Sequence, residues 1–472
     1  MSSSPFLSLP PELRHMIYKY YYTTAEGYFL QPISRKLVAA DRKPIDLALI
    51  YTCRLIAYET RNLPLLYNNI TVSTVYDPKL RPWAGRFDYL LFAQFQKQSY
   101  GLSALCEALE FTLRALAQGR TEKFDTIVEY ELLDWEYYGS DRLLNFLDKC
   151  FKPWDVPHTD VLAEMGRKFG DDHLWPTLGA WEPNRFHTRE HRTKFRISAA
   201  SAAIGWLNKL PANKRICIRD MVIVEDYPSV GRQECHAAGL VPFCRENPQL
   251  RINHRVSMLS VIFSRALLIR AGSFGSLANY AEHEIGAEAF DQANQVSFYE
   301  IAEWLAEIVS LPKAGMPNES YTFTLDGEPM AFICSRIFQQ IVLRKEAMRL
   351  TIERRLPSLD PEERDYMGSY LHRGHGNAFA QLIDNSSFVK TNFDPGQLWN
   401  AEKMLAEFRR IGPWDFFRNY KGLRMLYELP RPPSVHIIPR LGAVAMENYE
   451  VRPCARRRFA QECHHRRLRD SR

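Results

Sequence analysis

His187-Thr188-Arg189-Glu190-His191 spells H-x-x-E-H. On a helix, residues four apart share a face. His187 and His191 would then hold a zinc ion, with Glu190 as general base toward its bound water, which is metal-assisted hydrolysis. A third ligand has to come from elsewhere, and Glu282 or Glu284 has no spacing argument in its favour. The surroundings oppose a dication. Arg185, Arg189, Arg192 and Lys194 crowd the pattern, and Pro183 stands just upstream in a loop-like stretch. The pattern reads better as an exposed polar segment, so no catalytic residue, metal ligand or cofactor is assigned.

Other chemistry is sparser still. There is no G-x-x-x-x-G-K-[ST] loop, no G-x-G-x-x-G and no G-x-S-x-G elbow; Gly272-Ser273-Phe274-Gly275-Ser276 lacks the lysine that a phosphate loop needs. His372-Arg373-Gly374-His375-Gly376 reads as a turn. The nine cysteines are scattered, and the C-x8-C pairs Cys235/Cys244 and Cys454/Cys463 are wider than structural zinc pairs. Reduced thiols in cytoplasm or nucleus are expected. The opening MSSSPFLSLPPELR lacks the basic and apolar regions of a secretory signal. The longest run free of Asp, Glu, Lys and Arg, Asn62 to Tyr76, is too short and too polar to span a bilayer.

Charge is segregated. The net +6 of the 472 residues equals the excess of eight arginines over Glu462 and Asp470 in the basic tail, 451–472. A solvated terminus is the plain reading of that tail; a nuclear address or a nonspecific nucleic-acid contact is the sharper one. The composition, 46% hydrophobic and 25% charged, is globular.

The elements that must position any site are clearest at the N-terminus. Leu9-Pro10-Pro11-Glu12 places extended residues before a helix, with Pro11 at its first position and Glu12 against the positive end of its dipole. Leu13, Met16, Ile17, Tyr20 and Tyr21 then form an apolar stripe that must find a partner surface. Gly27, Pro32 and Pro44 break the next stretch, where a small hairpin is expected. A second helix is expected from about Asp46 to Asn62, then a strand from Ile70 to Tyr76. Beyond it, helices are expected at about 88–118, 122–148, 195–210, 254–270, 297–311, 331–354 and 397–411. Strands are expected at Arg215 to Glu225 and at Tyr321 to Leu325, the latter running into a tight turn at Asp326-Gly327. Residues 150–192 read as an irregular Pro/Trp-rich insertion that packs on the body.

The segment from Phe6 to Tyr18 (FLSLPPELRHMIY) resembles the start of an F-box, more narrowly the fungal F-box-like variants that open LPPELR..I. Leu49 to Thr60 (LIYTCRLIAYET) is similar to their second helix, where a Cys-Arg pair is common, and Leu66 to Val72 (LYNNITV) to their closing strand. The likeness covers about residues 5–76. It departs from the family in the long stretch between the two helices and in Tyr67, where a tryptophan is usual. Arg219 to Met258 is similar to a segment of uncharacterised fungal F-box-like proteins, which brings no biochemical role with it.

The resemblance implies a fold and a task. The fold is α+β and predominantly helical: an F-box-like domain over 5–76, a larger helical body with a few strands over 77–450, and the basic tail. The task is non-catalytic. An F-box docks on the SKP-type adaptor of a cullin–RING ubiquitin ligase, and the remaining chain recruits a protein substrate. By match to the motif, Leu9, Pro10, Leu13 and Ile17 are adaptor-facing or module-core residues, and Glu12 and Arg14 are rim groups. The alternatives are an F-box-like scaffold without ligase contact, its ridge packed on its own body, and the zinc hydrolase above.

Overall fold

Short runs of alternating apolar and polar side chains decide the architecture, because in a strand such alternation buries one face and leaves the other wet. The computed structural model describes residues 5–31, 34–81, 83–88, 90–91, 151–169, 191–263, 287–368, 378–384, 388–422 and 447–451. Its strands are β1 (Tyr28–Leu30), β2 (Leu37–Ala39), β3 (Ile70–Ser73), β4 (His191–Thr193), β5 (Asp220–Glu225), β6 (Arg251–Ser257), β7 (Tyr321–Asp326), β8 (Val389–Thr391) and β9 (Tyr449–Val451). Seven form one sheet in the order β2-β1-β3-β5-β6-β7-β8. Only β1 and β2 are antiparallel; every other neighbour in that sheet is parallel. The remaining two, β4 and β9, pair antiparallel by themselves.

From β1 to β8 each parallel strand lies beside the one before it in the sheet. The register aligns Ile70, Met221, Ile252 and Tyr321 in one row, and Val72, Ile223, His254, Phe323 and Val389 in the next. All of these are buried, and the apolar ones share a single core with α4 (Ala199–Leu207) and the buried part of α5 (Ala287–Ser310). The opposite face is mostly polar. Thr71, Val222, Asn253 and Thr322 form one row there, and Ser73, Val224, Arg255, Thr324 and Lys390 the next, all half-buried or exposed.

The N-terminal helices are α1 (Pro11–Tyr22), α2 (Arg54–Thr60) and α3 (Leu63–Tyr67). The second helix is shorter than expected, since a 3-10 turn, Ala48–Tyr51, precedes it. Asp46 still marks its approach by accepting from the amide of Ala48 (2.9 Å). The hairpin between α1 and α2 is present as β1 and β2, and β3 joins it to β5 of the body.

The mixture of helix and sheet agrees with the sequence, but the helix expected over 254–270 is overturned at its start. Residues 251–257 are strand β6, followed by a π turn, Met258–Phe263. Ile252, His254 and Val256 alternate inward there, and a buried histidine among them hides the period from an apolar count. The turn after β7 does not close a hairpin, because β7 lies parallel to both neighbours. Within 150–192, Thr159–Phe169 is helical, and Trp154 packs against the main core as expected. The helix expected over 88–118 lies almost wholly outside the described residues, and the helix over 122–148, Gly272–Ser276 and His372–Gly376 lie wholly outside them. No described helix is long and apolar enough to cross a membrane.

The helix α6 (Leu343–Arg355) is buried along most of its length despite its charges. Arg349 holds Glu346 through two hydrogen bonds (2.7 and 2.8 Å) and reaches Glu353 (3.0 Å). Lys345 lies against the rings of Tyr299 (4.9 Å) and Phe298 (5.6 Å), and burial pulls its ammonium down to about 7. The folded pKa is below the unfolded one, so the unfolded chain binds the proton more tightly. Stability is therefore expected to rise between pH 7 and 9, by up to about 1.4 kcal/mol per pH unit. Urea denaturation at the two pH values checks this, and Lys345→Met should flatten the difference.

Candidate partner-docking site

Two prolines set the start of α1. Pro10 is extended (φ −54°, ψ 145°), Pro11 is the first helical residue, and the amides of Leu13 and Arg14 both donate to the Pro10 carbonyl (3.1 Å each). The helix then buries a single row, Arg14, Tyr18 and Tyr22. Tyr18 and Tyr22 form a small core with Ile56 and Leu63, and Phe6, Leu7, Leu66 and Tyr67 pack around it.

Arg14 corrects the expectation of a rim group. It is 7% exposed, and its guanidinium donates to both carboxylate oxygens of Glu59 on α2 (2.5 and 3.1 Å). Its Nη1 also donates to the carbonyl of Leu9 (2.6 Å). The same arginine therefore ties α1 to α2 and holds the extended Leu-Pro segment in place. Tyr18 donates to Glu59 as well (2.7 Å). The Arg14 contact holds the Glu59 carboxyl below its ordinary range, while burial and then the bond to Glu59 push the Tyr18 hydroxyl up to about 12.

With that row facing in, the apolar stripe faces out. Leu13 is 46% exposed, Ile17 43%, Met16 68% and Tyr20 89%. Leu9 is half-buried and Pro10 exposed. None of the four residues singled out by motif belongs to the module core, and the stripe is not packed on the body. Tyr51, Leu55 and Tyr58 around α2 extend the exposed set. Among the described residues, eight of the thirteen exposed large hydrophobic side chains fall between Leu13 and Tyr58. Isolated exposed apolar residues need no explanation, whereas a concentration on one small module marks an interaction surface.

The module is closed by Asn68, buried at the start of β3. Its amide nitrogen donates to the carbonyls of Tyr22 (2.7 Å) and Pro64 (2.9 Å). Its oxygen accepts from the amide (2.8 Å) and hydroxyl (2.9 Å) of Thr24. Beside it, Gly27 (φ +70°) passes so close that a Cβ would meet the Asn69 carbonyl oxygen at 2.5 Å. Only glycine fits that approach.

A second polar cluster lies at the C-terminal end of β5, fully buried. The Glu225 carboxylate accepts from the amides of Ala199 (3.0 Å) and Ala200 (2.9 Å) at the start of α4, from the Gln233 amide (2.5 Å) and from the Thr74 hydroxyl (3.3 Å). His254 stands 3.6 Å away and contacts the Tyr321 hydroxyl (2.6 Å). Nearby, His236 Nε2 points at the Gly231 carbonyl (2.6 Å), which only accepts, so Nε2 carries the proton. Nδ1 then accepts from Ser198 (2.6 Å), with Ser201 also near (3.0 Å). Such a serine–histidine contact would suit a nucleophile, but Ser198 is 0% and His236 1% exposed. Ser198 also accepts from the Ser201 amide as the cap of α4. The cluster therefore pins α4 and the 3-10 segment Gln233–Leu240 to the sheet.

His187 and Glu190 lie outside the described residues, and His191 opens β4. No group of metal-ligating side chains occurs among the described residues. Cys235 and Cys244 are free thiols, both raised to about 12, first by burial. Sequence reasoning missed Tyr51, Leu55 and Tyr58 and the inward role of Arg14. The Arg14–Glu59 pair spans 45 residues, and no local pattern announces it.

No protein-family model matches the chain, and no curated protein or solved structure is significantly similar to it.

Proposed function

We propose that this chain is a non-catalytic, F-box-like substrate receptor that docks through α1 on the SKP-type adaptor of a cullin–RING ubiquitin ligase. The observation that carries the reading is the outward ridge of Leu13, Met16, Ile17 and Tyr20, held behind an Arg14 that also fixes the Leu9 carbonyl. An apolar helix face backed by a rigid extended segment suits a groove on a partner. The polar face of the parallel sheet is the surface this reading gives to a protein substrate. Ubiquitin transfer would then follow from proximity, the receptor holding a target near the ligase.

The test is a pull-down of the intact chain with the purified adaptor, beside Leu13→Ala/Ile17→Ala. Both side chains are exposed, so the double variant should keep the wild-type melting temperature. Its affinity is expected to fall about 10- to 100-fold, as for truncation of two central interface residues. No binding by the folded wild-type chain would remove the ligase reading and leave a scaffold.

A further inference from the structure

The loop between α5 and β7 closes a cavity of about 210 Å³ beside the first residues of β7 and β8. Met316 and Tyr321, both buried, form its floor, and the half-buried Phe388 forms a wall. Pro312, Asn318 and Glu319 are exposed at its mouth. The loop is held by its own backbone. The Met316 amide donates to the Leu311 carbonyl (3.0 Å), the Gly315 amide to Pro312 (3.0 Å) and the Ser320 amide to Asn318 (2.7 Å). Glu319 stands at φ +67°, a left-handed conformation uncommon for a residue with a side chain. Its carboxylate is 84% exposed and lies 3.5 Å from the Arg251 guanidinium. A cavity formed in advance spares its ligand the entropy of ordering a loop.

Size and lining define what fits. Sites for cofactors and metabolites usually run from about 300 to 1,000 Å³. A cavity of about 150 Å³ already holds a benzene ring, so one aromatic side chain matches this one. The lining agrees. The Met316 thioether and the Phe388 and Tyr321 rings make favourable contacts with another ring. At the mouth, the Glu319 carboxylate only accepts hydrogen bonds, and the Asn318 carboxamide oxygen accepts too. An indole N–H or a phenol O–H directed outward finds acceptors there that a phenyl ring leaves unused.

We propose that this cavity is a docking pocket for one tryptophan or tyrosine side chain of a protein partner, with the ring inside and its polar hydrogen at Asn318 and Glu319. On the ligase reading that partner is the recruited substrate, and this identification alone rests on that reading. The pocket itself needs no adaptor.

The experiment titrates the full chain with capped seven-residue glycine–serine peptides carrying one central tryptophan, tyrosine, phenylalanine or leucine, followed by saturation-transfer NMR. Dissociation constants of about 0.1–1 mM are expected for tryptophan and tyrosine, within reach of some ten ring atoms. Phenylalanine should bind about 3- to 10-fold more weakly, the worth of one hydrogen bond, and leucine more weakly still. Asn318→Ala/Glu319→Gly, which keeps the left-handed turn, should bring tryptophan and tyrosine down to the phenylalanine level. Pro312→Trp sets an indole at the mouth and should abolish binding of every peptide. All three positions are exposed, so wild-type melting temperatures are expected of both variants. Absence of saturable binding, leucine or phenylalanine binding as tightly as tryptophan, or unchanged binding by Pro312→Trp overturns the proposal. So does tighter binding of free 3-methylindole than of the tryptophan peptide, which would assign the cavity to a small molecule. A chain dimer that Pro312→Trp dissolves would make a second copy the occupant and overturns it as well. Adaptor capture by Pro312→Trp should match the wild type, so failure of either proposal leaves the other standing.

Discussion

Glu225→Ala is expected to lower the stability of the folded chain by about 3–5 kcal/mol, the largest loss from any single substitution discussed. The carboxylate is the shared acceptor for two α4 amides and Gln233, all buried, and for the half-buried Thr74 hydroxyl. Alanine would leave those donors unpaired and His254 without the charge it faces. Glu225→Gln should recover part of the loss, since its oxygen still accepts, while its amide nitrogen meets donors that it repels. Urea midpoints of the three proteins at pH 7.5 check the order.

The same cluster sets an acid limit. Burial pushes the Glu225 carboxyl up, but the His254 imidazole and the Ala200 and Ala199 amides more than offset this, and its pKa lies below the ordinary value. Its stabilisation is thus present above the ordinary carboxylate range and is lost as pH falls through the lowered folded value. Burial lowers the His236 imidazole, so it stays neutral in the fold while the unfolded chain takes up a proton below about pH 6.5. Both groups make stability fall with falling pH. The urea midpoint should drop between pH 7.5 and pH 5, and Glu225→Gln should flatten the curve below that range while leaving the His236 part.

Asn68→Ala is the second large effect. The carboxamide uses all its hydrogen-bonding capacity on the Tyr22 and Pro64 carbonyls and on Thr24, joining the end of α1, the approach to β1 and the first turn of α3. Truncation strands at least two buried backbone groups, at roughly 1–3 kcal/mol each, so a loss of about 2–4 kcal/mol is expected. Asn68→Asp should also be destabilising, because a carboxylate presents only acceptors to the two carbonyls. Because the defect lies behind α1, both variants should weaken adaptor capture together with the melting temperature. Leu13→Ala/Ile17→Ala should weaken capture alone. A calorimetric scan run beside the pull-down separates the two behaviours.

Much of the site's local structure was readable without coordinates, and the inward contacts were not. The helix start at Pro11, the hairpin after Gly27 and the strands at Ile70 and Tyr321 follow from proline geometry, glycine punctuation and side-chain period, whereas the strand expected from Arg215 begins only at Asp220, after a helical turn at Ala212–Arg215. The face that α1 turns inward does not. An apolar count sends Leu13, Met16 and Ile17 inside, whereas Arg14, Tyr18 and Tyr22 take that place, because Glu59 receives the guanidinium and the tyrosine hydroxyl. Strand β6 was missed for a related reason, since its central inward residue, His254, is polar and becomes acceptable in the core only beside Glu225 and Tyr321.

The sequence by itself determined where the charge sits, how α1 begins and which runs alternate, since these depend on each residue and its near neighbours. Only the tertiary structure decided that the parallel strands stack in chain order, that Arg14 is buried and the apolar ridge exposed, and that β9 pairs with β4. Each of those depends on a polar or charged group whose burial is tolerable only when a partner distant in the chain arrives to pair with it, and that pairing exists nowhere but in the fold.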